Sequence, residues 1–546
     1  MKGSTAVAEI LKREGVEWLI GYPVNPIIEA AAEADIRTII VRQERTGLHM
    51  TDAIGRLTSG RRIGVFAMQN GPGAENAFGG IAQAFGDSVP MVVLPGGYAR
   101  RLTNIPPYFN AFLNYRHITK WCEQVTCADA IPDALRRAFT QARNGRPRPA
   151  VVEIPRDVML EEVPEPLDYR PTFSTRSGPD PQAVTKAAEV LVDAKRPLIY
   201  AGQGVHYARA WQQLRELAEL LEAPVMTSLP GKSSFPEDHP LALGAGGKSR
   251  PGPVQFLLPK ADVILGIGCS FATSNFATPM PKGKTFIHAT LDPTDLNKTV
   301  PAEYALIGDA ALTLEALITE LKDRLRGSPR GRLEGIVQEI KQVKANWLAQ
   351  WMPKLTSDAV PLSPYRILWD LMHTVDRPNT IITHDAGSPR DQLSPFWESV
   401  APLSYVGWGK TTQLGYGLGL MMGAKLVCPD KLCINVWGDA AIGMTGMDFE
   451  TAVRERIPIL SILFNNFSMA MELPVMKTAT EKYRSTDISG NYADMAKAFG
   501  GYGERVTQPG EIIPAIKRGI RKTQDGVPVL LEFLTMQEIQ FSEFKK

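Results

Sequence analysis

Short apolar runs recur along the chain, separated by longer stretches in which apolar residues return every three or four positions. Residues 6–14 read as a helix and 17–20 as a strand, and Gly21-Tyr22-Pro23-Val24-Asn25-Pro26 turns the chain into a second helix. A strand at 37–41 ends just before Glu44, and a helix to Ser59 follows. The next strand, 63–68, runs into the turn Asn70-Gly71-Pro72-Gly73, a helix to Gly86 and a strand at 91–94. The alternation of these strands with helices predicts an α/β fold with mainly parallel sheets.

The rhythm breaks and resumes twice. A boundary follows Ile154-Pro155, and residues 163–182 carry five prolines without periodicity, which marks a linker. Strands are expected at 197–202, 261–266 and 285–288, and again at 380–383, 433–437 and 457–464, with a basic Gly/Pro-containing stretch at 327–335 between the two groups. Three domains result: 1–163, 183–326 and 361–546. The first and third echo each other. Asp87-Ser88-Val89-Pro90-Met91-Val92 matches Glu455-Arg456-Ile457-Pro458-Ile459-Leu460. Further on, Ile131-Pro132-Asp133-Ala134 matches Ile513-Pro514-Ala515-Ile516, and Pro149-Ala150-Val151-Val152-Glu153 matches Pro528-Val529-Leu530-Leu531-Glu532. Three matches in one order predict two copies of one fold.

Composition narrows the partners. At 546 residues the chain is too long for a single core. Its 60 basic and 58 acidic residues leave a net charge of +2 without long single-sign runs, so neither nucleic acid nor a membrane surface is implied. No apolar segment reaches the about 18 residues of a membrane span, and the N-terminus lacks a signal-peptide apolar stretch, so the cytoplasm is the expected compartment. The five cysteines form no CxxC pair, as expected of reduced thiols.

The densest candidate chemistry lies at residues 438–466. One apolar strand ends on Gly438-Asp439-Ala440-Ala441 and the next on Asn465-Asn466. The C-terminal ends of parallel strands are where α/β sheets bind ligands. Asp439 offers a hard anionic oxygen, Asn466 an amide oxygen and the Ser468 carbonyl a third, a set suited to Mg²⁺ with phosphate and water completing the shell. Small residues after Asp439 let backbone N–H groups approach a diphosphate beside a helix N-terminus. Taken singly, each element could equally be a helix cap or a turn.

Gly-Asp-x, a spacer of this length and Asn-Asn resembles the cofactor motif of thiamine diphosphate-dependent enzymes. Over its whole length the chain resembles their acetolactate synthase-like group, which includes decarboxylases, carboligases, pyruvate oxidase and oxalyl-CoA decarboxylase. The resemblance implies a pyrimidine-binding first domain, a central domain, and a diphosphate- and Mg²⁺-binding third domain that shares the first one's fold. It assigns the ion to Asp439, Asn466 and Ser468, and the diphosphate to Gly438, Ala440 and Ala441, with Gly387 and Ser388 of Asp385-Ala386-Gly387-Ser388 alongside. Arg42-Gln43-Glu44 is similar to the segment whose glutamate hydrogen-bonds the aminopyrimidine N1′ and promotes the imino tautomer that deprotonates C2. Asn70-Gly71-Pro72-Gly73, with Asn76 following, resembles a cofactor-side turn. In Thr412-Gln413-Leu414-Gly415-Tyr416-Gly417, Leu414 matches the wedge that bends the cofactor, and the Thr412 carbonyl would accept from its 4′-amino group.

The implied activity is thiamine diphosphate-dependent decarboxylation or carboligation of a 2-oxo acid or related donor. The alternative is an acyl-CoA lyase or decarboxylase of the oxalyl-CoA decarboxylase or 2-hydroxyacyl-CoA lyase type. A catalytically silent homologue is the non-enzyme alternative, against which the intact Glu44, Leu414, Asp439 and Asn466 speak. Departures bear on substrate. Gln43 replaces a common His, Ala440 a common Gly, and Phe112-Leu113-Asn114 lacks the active-site Gln of acetolactate synthases. The segment Met469-Ala470-Met471-Glu472-Leu473 lacks their acceptor-pocket tryptophan, which argues against a dedicated biosynthetic acetolactate synthase. Tyr22, Asn25, Met471 and Glu472 are the candidate substrate contacts. Relatives hold FAD, ADP or CoA in the central domain, or nothing; Gly202-Gln203-Gly204 lacks the full dinucleotide fingerprint, so FAD or a nucleotide there stays open. The resemblance places the cofactor between the first domain of one subunit and the third of another, which implies a homodimer at least and a homotetramer by expectation.

Overall fold

The computed structural model of the protein describes residues 1–543 and contains three six-stranded sheets with every strand pair parallel. Numbered by appearance within each sheet, the first (Trp18–Tyr22 to Pro149–Pro155) has strand order 2-1-3-4-6-5, and the third (Thr380–His384 to Val529–Leu534) has the same order. The three sequence echoes fall at equivalent places. Met91–Gly97 and Leu460–Asn465 are both fourth strands, Ile131–Arg143 and Ile512–Gln524 are both the helix before the last strand, and Pro149–Pro155 and Val529–Leu534 are both sixth strands. The central sheet, Pro197–Ala201 to Tyr304–Ile307, runs 6-5-4-1-2-3. Read from its other edge this is the doubly wound order 3-2-1-4-5-6, whose switch point lies between Pro197–Ala201 and Val263–Ile267.

The outer units share one apolar core. The helix Glu44–Leu57 crosses the helix Tyr416–Val427, and Met50, Ala53, Leu420 and Met421 are all buried there. The crossing is close because two glycines face it. A Cβ on Gly423 would stand 2.2 Å from the Met50 carbonyl oxygen, and one on Gly419 2.7 Å from that of Thr46. The Gly-rich sequence after Leu414 therefore has a packing cause as well.

Two segments differ from the sequence expectation. Within the proline-rich connection, Leu167 and Tyr169 are buried against the first unit, and the Arg13 guanidinium donates to both their carbonyls, at 3.2 and 2.9 Å. Its prolines remove periodicity without removing contact. Residues 336–360, between the expected units, belong mostly to a helix, Leu333–Leu355. Its apolar residues form one narrow stripe, and Trp347 stacks on Phe396 with ring centres 4.9 Å apart. A stripe that sparse does not stand out beside strands and fully covered helices.

Candidate active site

The strand Leu432–Gly438 delivers Asp439 to the C-terminal edge of the third sheet, and its parallel neighbour Leu460–Asn465 delivers Asn466. Asp439 is only 4% exposed. Its Oδ2 accepts the N–H groups of Asn466 (3.1 Å) and Ser468 (3.3 Å), and its Oδ1 that of Ala440 (2.9 Å). One carboxylate thus pins the loops that follow both strands. Burial pushes Asp439 up to about 6, and the groups opposing that shift are backbone N–H donors. Phe467, between the two donors, has φ +56, a left-handed backbone costing roughly 1 kcal/mol in a non-glycine residue. The turn holds because Asp439 fixes the N–H on either side and Asn465 Oδ1 accepts that of Phe467 at 3.1 Å.

The structure separates the two asparagines. Asn465 turns inward, its Nδ2 donating to the buried Glu532 at 2.7 Å. Asn466 stays beside Asp439, half-buried, its Oδ1 accepting from Ser468 N–H at 3.0 Å. Ser468 Oγ is buried without a hydrogen-bond partner. Among the described residues no basic side chain forms an ion pair with Asp439, and no cluster of three or more His, Cys, Asp or Glu surrounds a metal position. A buried, unpaired carboxylate beside an amide oxygen and an orphaned hydroxyl fits a hard divalent cation.

Around this edge stand the other third-unit residues. Gly387 adopts φ +86 and opens the helix Ser388–Phe396; the Met471 sulfur lies 3.9 Å from where its Cβ would be, so the 471 turn lies against the Gly387 loop. Glu472, in the same turn, is exposed. Asp385 is fully buried and was not among the predicted site residues. Its carboxylate accepts the N–H groups of Ala386 (2.8 Å), Gly415 (2.9 Å) and Gly417 (2.9 Å), which ties the segment carrying Thr412 and Leu414 to the end of the strand Thr380–His384. Burial pushes Asp385 up to about 6. An aspartate closing a buried strand was the signal for it. Leu414 is half-buried, just before Gly415, whose φ is +85.

Glu44 opens the helix Glu44–Leu57 and is 3% exposed. Burial raises its pKa, while backbone and Asn76 hydrogen bonds lower it and the charge of Asp448 raises it. Asn76 Nδ2 donates to its Oε2 at 3.2 Å. The Gly-Pro-Gly turn lies against it: Gly71 has φ +66, and a Cβ on Gly73 would stand 3.3 Å from Glu44 Oε1. Within one chain this helix start already touches the third unit. Arg42 N–H donates to Asp448 at 2.7 Å, Arg45 to the Met444 carbonyl at 3.0 Å, and His49 Nε2 pairs with Gln413 Oε1 at 3.1 Å. Tyr22 and Asn25 sit where the first strand passes into the helix Asn25–Glu33; among the described residues neither side chain bonds to the third unit.

Below the Phe112 loop, Glu153 is buried on the strand Pro149–Pro155 and accepts the Phe112 N–H at 3.0 Å. Burial pushes it from 4.5 up to about 7. Between those values the unfolded chain ionises Glu153 while the folded chain keeps it protonated. Folding stability therefore falls as pH rises through that window, by roughly 3 kcal/mol from this group. Glu153→Gln keeps an acceptor for Phe112 and removes the titration. Its melting temperature should lose this share of the decline between pH 4.5 and 7; a slope equal to the parent's contradicts the assignment.

A cavity of about 790 Å³ lies away from this edge, at the central switch point. Gly204, Gly268, Cys269 and Asp292 line it, with Arg146 and Lys410 contributed by the outer units.

The family comparison agrees with the three-unit reading. The Thiamine pyrophosphate enzyme N-terminal TPP binding domain matches residues 1–125, the central domain 184–317, and the C-terminal TPP binding domain 385–533. A probable acetolactate synthase large subunit of Methanocaldococcus jannaschii is 30% identical over 98% of this chain and 92% of its own length. The chain belongs to the thiamine pyrophosphate enzymes. Other relatives in the family are the acetolactate synthase isozyme 3 large subunit of Escherichia coli K12, 28% identical over 97% of this chain and 94% of its own, and the acetolactate synthase large subunit of Corynebacterium glutamicum, 29% identical over 99% and 88%. The protein is thus an enzyme dependent on thiamine diphosphate that works on C–C bonds, similar to acetolactate synthases; the acyl-CoA alternative is not favoured by these relatives.

Proposed function

We propose that the enzyme decarboxylates a 2-oxo acid and passes the remaining acyl unit to a proton or a second carbonyl compound. The observation that carries this reading is the buried Asp439, without an ion-pair partner among the described residues, whose carboxylate accepts the N–H groups of Asn466 and Ser468 at the end of the neighbouring strand. Thiamine diphosphate, when bound, supplies the nucleophilic carbon and the electron sink. Asp439, the Asn466 amide and the Ser468 carbonyl would hold Mg²⁺, which would supply positive charge for the diphosphate. Backbone N–H groups at Gly438, Ala440, Ala441, Gly387 and Ser388 add donors at helix starts. Asn70 and Gly71 border the pyrimidine side. Glu44 holds a proton at N1′ of the aminopyrimidine, a task suited to a carboxyl whose pKa burial raises. The Thr412 carbonyl receives the 4′-amino group, and Leu414 fills the space beneath the cofactor. Tyr22, Asn25, Met471 and Glu472 contact substrate. The three domains, 1–163, 183–326 and 361–546, bind the pyrimidine, form the centre and bind the diphosphate with Mg²⁺, respectively.

The wedge role makes its own prediction. Leu414→Ala should cut turnover by about 10²-fold through a misplaced reacting atom, with a smaller change in cofactor affinity. Equal losses in both would contradict it.

Apolar side chains are left uncovered near both halves of the site: Met444, Met447 and Phe467 on the third unit, Phe78 and Leu113 on the first. They support a homodimer at least, and a homotetramer, in which partner chains cover them. The central cavity at the doubly wound switch point has room for FAD or another nucleotide, and Arg146 and Lys410 are among its lining residues. No helix among the described residues is long and apolar enough to cross a membrane, in keeping with a cytoplasmic enzyme. The test of function is a panel of 2-oxo acids, with and without aldehyde or keto-acid acceptors, given to the purified protein with Mg²⁺ and thiamine diphosphate. Mass spectrometry should find decarboxylated or ligated products; no product from any donor overturns the proposal. The departures at Phe112-Leu113-Asn114 and 469–473 bear on substrate choice, so both donor and acceptor are varied in the panel.

A further inference from the structure

The segment that carries Thr412 and Leu414 is held largely by the first unit of its own chain. Asp87 follows the helix Pro72–Gly86 and is fully buried. Its Oδ2 accepts the Gly409 N–H at 3.1 Å and its Oδ1 the Lys410 N–H at 3.0 Å. Gln83, one turn earlier and also buried, donates to Asp87 at 2.8 Å. Its Oε1 accepts from Thr411 Oγ1 at 2.6 Å and from Gln413 N–H at 3.4 Å. The Gln413 side chain in turn meets His49 at 3.1 Å.

Behind this pair stands a buried charge cluster. Arg56 donates to Asp87 at 3.2 Å, to both oxygens of Asp52 at 2.5 and 3.1 Å, and to the Gly407 carbonyl at 3.0 Å. Tyr416 O–H donates to Asp52 at 2.7 Å. Two carboxylates facing one guanidinium leave an excess negative charge in the interior, and the Gly409 and Lys410 N–H groups supply the donors that offset it. The segment needs outside support. Gly409 and Gly415 flank it at φ +124 and +85, conformations that glycine reaches freely and that lend the loop no stiffness. Arg56, Asp87, Gln83 and His49 of the first unit therefore hold the stretch from Gly407 to Gln413, while Asp385 and Thr445 of the third unit hold Gly415 at its far end.

We propose that Asp87 and Gln83 are positioning residues: the first unit of each chain sets the height of the Thr412–Leu414 seat in the third unit of that chain. This rests on the reading of Thr412 and Leu414 given above. Each chain then carries its seat preset, whichever subunit supplies Glu44 to it.

Asp87→Asn and the milder Thr411→Val test it, the second removing one hydroxyl at an exposed position. In the protein without added cofactor, hydrogen exchange at residues 409–413 should quicken by about tenfold or more in Asp87→Asn, and less in Thr411→Val, while the Tyr416–Val427 helix keeps the parent's protection. Thiamine diphosphate affinity should drop by about tenfold, and the near-ultraviolet circular dichroism of the bound aminopyrimidine should change. Should Asp87→Asn fail to fold, Thr411→Val carries the same readouts. Unchanged exchange, or faster exchange with unaltered affinity and dichroism, overturns the proposal. Failure of the parent protein to bind thiamine diphosphate overturns the reading of the site instead, and the exchange rates still judge the clamp.

Discussion

Glu44→Gln should lower turnover by about 10²–10⁴-fold, the range general acid–base catalysis contributes, with binding of Mg²⁺ and thiamine diphosphate close to the parent's. The residue is 3% exposed, and burial raises its pKa, so it keeps a proton to higher pH than an exposed glutamate does. Glutamine keeps the size and the Asn76 contact and loses only the exchangeable proton. The cation seat is on a different sheet edge and contains no atom of Glu44. Steady-state kinetics beside calorimetric binding checks both halves of the statement. Full turnover by the variant would remove Glu44 from the mechanism; lost cofactor binding would make it a structural residue.

Asp439→Asn acts on the other half. Here the expected result is loss of Mg²⁺-dependent cofactor binding by at least about 100-fold, since even the partners that merely orient a metal ligand cost 10–100-fold when removed. The carboxylate also accepts the N–H groups of Asn466 and Ser468 on one oxygen, which an amide oxygen can still accept, and only the Ala440 N–H on the other oxygen loses its acceptor. The fold should therefore survive, and the melting temperature without metal should stay near the parent's or rise, because an unpaired buried carboxylate is replaced by a neutral group. Binding that persists in this variant would place the cation elsewhere.

Parallel sheets announce themselves in sequence because their strands are covered on both faces, so the α/β class could be read from apolar runs, while the kinship of the outer units was legible in three ordered sequence matches. Asp439 and Asn466 stood out as candidates for a different reason, that hard-ion chemistry restricts the side chains a site can use, and Glu44 became a candidate through the family resemblance. Residues that act by contact were harder to find. Asp52, Arg56 and Gln83 are polar residues on helices and Asp87 directly follows one, and in sequence they cannot be told from a solvated face; the packing of the first unit against the third buries them together. Sequence singled out Asn466 and left Asn465 without a role, whereas the pleat turns Asn465 inward to Glu532 and leaves Asn466 beside Asp439. Leu167 and Tyr169 were hidden by neighbouring prolines, which break periodicity in a segment that is nonetheless packed.

The central claim is that this chain seats thiamine diphosphate through a cation at Asp439. Calorimetric titration of the cofactor into the metal-stripped protein, with and without Mg²⁺ and repeated on Asp439→Asn, tests it most directly. The account predicts saturable binding that requires Mg²⁺ and is lost in the variant. Binding that is equally tight without a divalent cation, or undiminished in Asp439→Asn, would contradict it.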